Sequence, residues 1–203
     1  MSPRGKEQNE HMRTKTLEKI NGAALSVFAE YGYNGATMKQ ISRAAGLSYG
    51  LVYHYYPSKE IIFRHLVDYA LEGSIIALEQ SMRTPLPAWE KIKNLSAYLV
   101  KFALTGESSL YFLIVLQAMT EGKAIPGMLK HIAERSELCY RKLIPAIVEA
   151  QEAGDAAEGD PEALAAAYFS FIQGLATLAF QGKGYENKIT PDMLSAVIGK
   201  RNS

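Results

Sequence analysis

The chain has 203 residues and a mass of 22.4 kDa, with 48% hydrophobic and 21% charged residues, a balance that excludes disorder and fibrous repeats and is ample for a packed core. A single cysteine, Cys139, excludes an internal disulfide framework and a thiolate metal cluster, and it suits a reducing cytoplasm. Net charge is only +1, but residues 1–68 hold nine basic against six acidic side chains and the remainder thirteen against fifteen, so the basic surplus lies at the N-terminal end.

In chain order, residues 1–12 are polar, without apolar periodicity and without the apolar core of a secretory signal; they read as a flexible tail on a chain expected to stay in the cytoplasm. Leu17, Ile20, Ala24, Val27, Phe28 and Tyr31 then recur at helical spacing up to Gly32. Three short capped segments follow between Gly35 and Asp68. Residues 59–83 read as helical with a break near Gly73, stopped by Pro85 and Pro87. Further helices are expected at 89–102, 110–119, 127–153 (with Pro145 bending it), from the Asp160 cap to about Gly182, and at 191–198 after the loop GKGYEN. Counting a break at Gly73, the helices at 127–153 and 160–182 are the eighth and ninth. No run alternates with period two, so the expected class is all-α with nine to ten helices. The run Ala165–Phe180 is interrupted by Ser170, Gln173, Gly174 and Thr177 and reads as a buried helix, not a membrane span.

The stretch TMKQISRAAGLSYGLVYHYYPSKEIIF, from Thr37 to Phe63, carries the functional signal. Thr37 and Gln40 have capping-box spacing. Ile41, Ala44 and Ala45 are placed inward, Gly46 ends that helix, Leu47 plugs the turn, and Ser48 caps a helix from Tyr49 to Tyr55 that Pro57 terminates. Two short helices joined by a glycine turn form a helix-turn-helix, whose second helix is sized for a DNA major groove. In Thr37, Ile41, Ala45, Gly46, Leu47, Ser48, Gly50, Tyr53, Tyr55, Ser58, Lys59, Glu60 and Ile62 the chain resembles the DNA-binding pattern of the tetracycline-repressor (TetR) family. It departs at Ser42, Leu47 and Tyr56, by tolerable size changes. Tyr49 and Leu51 stand where the family often has Lys, Arg, Thr or Ser.

The resemblance implies a helix-turn-helix domain over residues 13–68 and a helical ligand-binding and dimerisation domain over 69–203, without a cofactor. Its DNA-contacting candidates are Thr37, Lys39, Arg43, Ser48, Tyr49, Gly50, Leu51, Tyr53, His54, Tyr55 and Lys59, with Thr37 and Lys59 on phosphates and the first turns of the second helix on base edges. Trp89, Tyr98, Phe102, Phe112, Leu116, Met119 and Tyr140 are candidates for the walls of an apolar pocket, each with plain core packing as the alternative. Tyr168, Phe171, Ile172, Leu175 and Leu178 are candidates for a homodimer contact through the eighth and ninth helices. His65 and His131 lack acids at metal-ligand spacing, so no metal site is expected, and Cys139 reads as buried and inert.

The expected function is a repressor that binds a palindromic DNA operator as a homodimer and is released by a small apolar or amphipathic effector. The alternative is a DNA-binding regulator whose helical body is a protein-interaction module without a small ligand. An enzyme is not expected, since the chain has no Walker loop, HExxH, GxSxG or nucleophile with an evident base.

Overall fold

The computed structural model describes residues 3–106, 108–182 and 188–200. Among them are nine α-helices: α1 (Pro3–Gly35), α2 (Met38–Ala45), α3 (Tyr49–Tyr55), α4 (Lys59–Met82), α5 (Ala88–Leu104), α6 (Ser108–Glu121), α7 (Met128–Glu152), α8 (Pro161–Phe180) and α9 (Pro191–Ser195), with a 3-10 turn at Gly122–Ala124. The only other pairing described is an isolated bridge from Ala156 to Gly199. The all-α class expected from the periodicity is what the chain adopts.

Four expectations about local structure need correction. The segment read as a tail is helical from Pro3, because Arg, Glu, Gln and Met are good helix formers and extending an existing helix avoids the nucleation cost. Gly73 does not break α4, which runs unbroken with Leu71, Ile75 and Leu78 buried on one side; the two helices expected to form the dimer contact are therefore α7 and α8, with all five candidate residues on α8. The terminal helix stops at Ser195, and the backbone then turns so that Ala157 N–H donates to the Ile198 carbonyl at 2.7 Å. Ala44, placed inward by its sequence position, is exposed, and Ser42 takes the buried position instead. Lys183–Asn187 of the expected loop lie outside the described residues. Pro145 sits inside α7 without ending it.

Two apolar clusters organise the molecule. One surrounds Phe28, Ile41, Val52 and Phe63 of the first four helices and is completed by Ile114 and Ala118 of α6 and Ile132 of α7. The other gathers Leu78, Leu95, Leu143, Tyr168 and Leu194 from α4, α5, α7, α8 and α9. Helix α4 contributes to both, so the DNA-proximal and distal halves share a beam. That beam is fixed in register against α7: His131 Nε2 meets Asp68 Oδ1 at 2.5 Å, Arg135 donates to Glu72 at 2.7 Å and Lys142 to Glu79 at 2.6 Å. Each pair is separated by 63 residues, so the two helices run parallel with a constant offset. Lys142 also holds the Glu79 carboxyl below its ordinary range, through a hydrogen bond first and charge second.

Deep in the second cluster the Ser96 hydroxyl donates to the Ile92 carbonyl at 2.8 Å, which leaves the fully buried Tyr168 hydroxyl to donate to Ser96 Oγ at 2.8 Å. Burial drives the Tyr168 phenol pKa well above the tyrosine range, only partly offset by that bond. The two truncations are therefore unequal. Tyr168→Phe leaves Ser96 still bonded and is expected to cost about 1 kcal/mol, whereas Ser96→Ala strands a buried hydroxyl and is expected to cost about 2 kcal/mol or more. Urea unfolding of both variants checks the order, and the reverse order contradicts the assigned donor direction.

Candidate functional site

The helix-turn-helix is built by its caps. Thr37 N–H and hydroxyl both donate to Gln40 Oε1, at 2.8 and 2.6 Å, while Gln40 N–H donates to the threonine oxygen at 3.3 Å, closing the box that starts α2. At its other end Gly46 adopts the left-handed conformation (φ 64°), and two crossed bonds, Leu47 N–H to Ser42 and Gly46 N–H to Arg43, satisfy the last carbonyls. Ser48 then caps α3 through Leu51 N–H, and Ser58 caps α4 through Ile61 N–H.

Helix α3 buries only Val52, so its remaining faces are available to a partner. Tyr49, Leu51 and Tyr53 are 51%, 38% and 37% exposed, an unusual amount of apolar surface for a seven-residue helix. The Tyr49 and Tyr53 rings lie 4.5 Å apart and the Tyr49 hydroxyl donates to that of Tyr53 at 2.9 Å, so the two act as one plate; this bond raises the Tyr49 pKa. His54 is exposed, while Tyr55 is half-buried against the core. A Cβ at Gly50 would meet nothing within 4 Å, so its smallness serves no internal packing and leaves room for an approaching surface. Lys39 and Arg43 stand exposed one turn apart on α2, and Thr37 is exposed at its start.

Lys59 takes a different place from the phosphate contact expected of it. Its ammonium donates to the carbonyls of Tyr33, Ala36 and Asn34 at 2.7, 2.9 and 3.3 Å and lies 4.7 Å from the centre of the Tyr33 ring. All three protons are engaged in closing the end of α1, whose backbone is bent at Gly32 (φ 69°, ψ 173°). From the opposite side Glu121, the last residue of α6, accepts from Asn34 N–H at 3.1 Å and from its side-chain amide at 3.0 Å. A Cβ on Gly32 would come within 2.8 Å of Glu121 Oε1, so glycine is needed there for space as well as for φ. Gln117, one turn earlier on α6, donates to the Phe28 carbonyl at 2.8 Å.

The second feature is a cavity of about 360 Å³ between α4, α5, α6, α7 and α8. Phe102, Phe112, Leu116, Met119 and Tyr140 line it, as their residue types suggested. Tyr98 lines an adjoining lobe of about 260 Å³ instead. Trp89 lines neither; it packs against the C-terminal segment, where a Cβ on Gly199 would lie 3.0 Å from its ring. Tyr111, Val115, Cys139 and Gln173 also line the cavity and Tyr69 the adjoining lobe; they were not foreseen, since their helical spacing does not say which neighbouring helix they face. The Gln173 amide donates to the Phe112 carbonyl at 2.8 Å. Burial pushes the Cys139 thiol up to about 11, which keeps it protonated and unreactive at neutral pH. No group of three metal-ligating side chains occurs among the described residues, and His131 pairs with Asp68.

Residues 20–66, the helix-turn-helix with the helices that frame it, match the family model described as bacterial regulatory proteins, tetR family. This segment is a TetR-family DNA-binding region. The chain is similar to the transcriptional regulator UidR of Escherichia coli K12, with 26% identity over 148 residues covering 73% of this chain and 71% of UidR. The repressor AcnR of Corynebacterium glutamicum is 38% identical over 50 residues, 25% of this chain and 27% of AcnR, so the chain spans under a third of that relative. In fold it resembles the solved structure of AibR in complex with isovaleryl coenzyme A and operator DNA, with a TM-score of 0.68, 18% identity, and coverage of 89% of this chain and 94% of AibR.

The five dimer candidates divide. Tyr168, Ile172 and Leu175 are buried inside their own protomer because they face α5, α6 and α7, so they offer nothing to a second copy. Phe171 is half-buried and Leu178 exposed. The uncovered side of α8 is instead Ala163, Ala166, Ala167, Ser170, Gly174 and Leu178. Helix α8 is long and apolar enough to cross a membrane by length and composition, yet only 28% of that stretch is buried, so it is not the enclosed helix its composition suggested.

Lys59→Met should destabilise the protein by about 1 to 3 kcal/mol, since three carbonyls at the end of α1 lose their donor. Thermal and urea unfolding measure this, and an unchanged midpoint would remove Lys59 from its structural role.

Proposed function

We propose that the chain is a ligand-responsive repressor, working in the cytoplasm as a homodimer that sets two copies of α3 on a palindromic operator and is released when a small apolar or amphipathic molecule occupies the cavity. One observation carries this reading: α6 lines the cavity with Phe112, Val115, Leu116 and Met119 and also holds α1 through Gln117 and Glu121. A molecule that displaces α6 must move the contacts that orient the head. A body serving only as a protein-interaction module would be expected to fill its interior with its own side chains, and the open cavity argues against that alternative. The AibR structure, solved in complex with isovaleryl coenzyme A and operator DNA, supports a fold that accommodates both kinds of partner.

On the DNA side, α3 has no Arg, Lys, Asn or Gln, so the bidentate pairings that select guanine or adenine cannot come from it. Leu51 and the Tyr49–Tyr53 plate suit thymine methyl groups, the tyrosine hydroxyls and His54 supply single hydrogen bonds, and Lys39 and Arg43 reach from α2 toward the groove edge. Arg43→Ala should therefore weaken binding to all sequences alike and lower the salt dependence, whereas Tyr49→Ala should relax preference at particular base pairs by roughly 1 to 3 kcal/mol. Selection from a randomised operator library distinguishes the two; unchanged base preferences in Tyr49→Ala would remove it from readout.

The second copy is assigned to the small-residue side of α8, where Ala163, Ala166, Ala167, Ser170 and Gly174 permit close approach of a partner helix, flanked by exposed Leu138 and Pro145 on α7. Ala167→Arg should convert a dimer into folded monomers by sedimentation at micromolar concentration. A wild-type protein already monomeric there would overturn the dimer.

A further inference from the structure

We infer that the cavity selects a cationic amphiphile, with the apolar body in the larger lobe and the positive end in the aromatic lobe between α4 and α5. This rests on the reading of the cavity as the effector site. The larger lobe is walled by groups such as Leu78, Leu116, Met119 and Cys139, and no acid or base lines it among the described residues. The two lobes adjoin, with Leu99, Phe102, Tyr111 and Phe112 lining both. The smaller one opens to solvent past Tyr69 and Tyr98, which are 60% and 49% exposed.

The rings of this lobe are clustered. Tyr69 and Tyr111 lie 5.2 Å apart, Tyr98 and Phe102 6.0 Å, and Phe102 and Phe112 5.9 Å. Aromatic faces attract cations and repel anions. Among the described residues, the one charged side chain lining either lobe is Glu72, an acid, whose Oε2 accepts from Arg135. Two bases of α7, Arg135 and Lys142, are each matched by an α4 carboxylate, Glu72 and Glu79. A carboxylate or phosphate entering here would meet ring faces and the Glu72 carboxylate, with no base among the described lining residues. A quaternary ammonium would meet several ring faces and the remaining oxygen of Glu72. A neutral amphiphile would gain the apolar burial alone.

Three probes with the same eight-carbon tail and different heads test this: octyltrimethylammonium, octanoate and octanol, titrated calorimetrically into the full chain below their micellar concentrations, with operator release followed in parallel. The ammonium should bind about tenfold more tightly than either of the others. Tyr98→Leu should remove most of that preference while leaving octanol affinity within about twofold, and Glu72→Gln, which frees Arg135, should shift the preference toward octanoate. Leu116→Trp, which fills the larger lobe, should abolish binding of all three, with thermal melting used to confirm that each variant is folded. Octanoate or octanol binding as tightly as the ammonium, or a preference unaffected by both head-lobe variants, overturns the charge selectivity and leaves the effector cavity standing. Failure of all three probes to bind, or binding that survives Leu116→Trp, overturns both.

Discussion

Everything about the orientation of the DNA-facing helices rests on how the end of α1 is closed. A helix terminus leaves carbonyls without intrahelical donors, and here α1 adds a sharp bend at Gly32 directly above the start of α2. Lys59, the first residue of α4, brings a single ammonium with three donors to three of those carbonyls, and Glu121 takes the Asn34 N–H from the far side. The acceptor and donor come from different helices of the body. The head is thus positioned by two charged side chains acting on backbone, not by side-chain packing alone, and its angle follows α4 and α6.

The α4–α7 register extends that constraint through the body. A parallel helix pair held only by apolar contacts can slide by a turn with little change in buried area, because side-chain spacing repeats. Three ion pairs at the same offset remove this freedom, since a shift breaks all of them together. Each is partly exposed and individually worth under about 1 kcal/mol, so their consequence is specificity of alignment more than stability. Helix α4, whose Ala70, Leu71, Ser74 and Leu78 line the cavity, is thereby held as one rigid element.

How legible all this was in the sequence depends on the range of the interaction. The capping box at Thr37, the left-handed Gly46 and the Ser48 cap are local chemistry, readable within four residues, and the structure has them in place. Lys59 illustrates the limit. Its position in a family motif suggested phosphate, but its partners lie 23 to 26 residues away and only the folded chain brings them together. The same limit applies to Glu121, which carries no local signal. Trp89 was misplaced because an aromatic residue on a helix declares burial without declaring against what. In α8 the error had a different origin: an almost uniformly apolar helix gives no periodicity from which to tell the inner side from the outer one. Side-chain size was the usable cue, with large residues at Tyr168, Ile172 and Leu175 inside and small ones at Ala163, Ala167 and Gly174 outside.

The energetics of a link through α6 are modest. In the proposed repressor, filling the cavity would shift the head only by the difference in ligand affinity between two arrangements of α6, and each tenfold difference is worth about 1.4 kcal/mol. The contacts at stake on the α1 side are the Gln117 bond to Phe28 and the two Glu121 bonds to Asn34, the latter charge-assisted. At a net worth of about 0.5 to 3 kcal/mol each, depending on charge, they set a gap of a few kcal/mol. The Gln117 Oε1 is buried with no hydrogen-bond partner among the described residues, which lowers the net worth of its contact with α1. A junction with one unsatisfied acceptor and few bonds is easier to displace than a close-packed one. Such a gap lies within reach of an apolar molecule that distinguishes two shapes of a 360 Å³ cavity by one or two buried methylene groups, each worth about 0.8 kcal/mol.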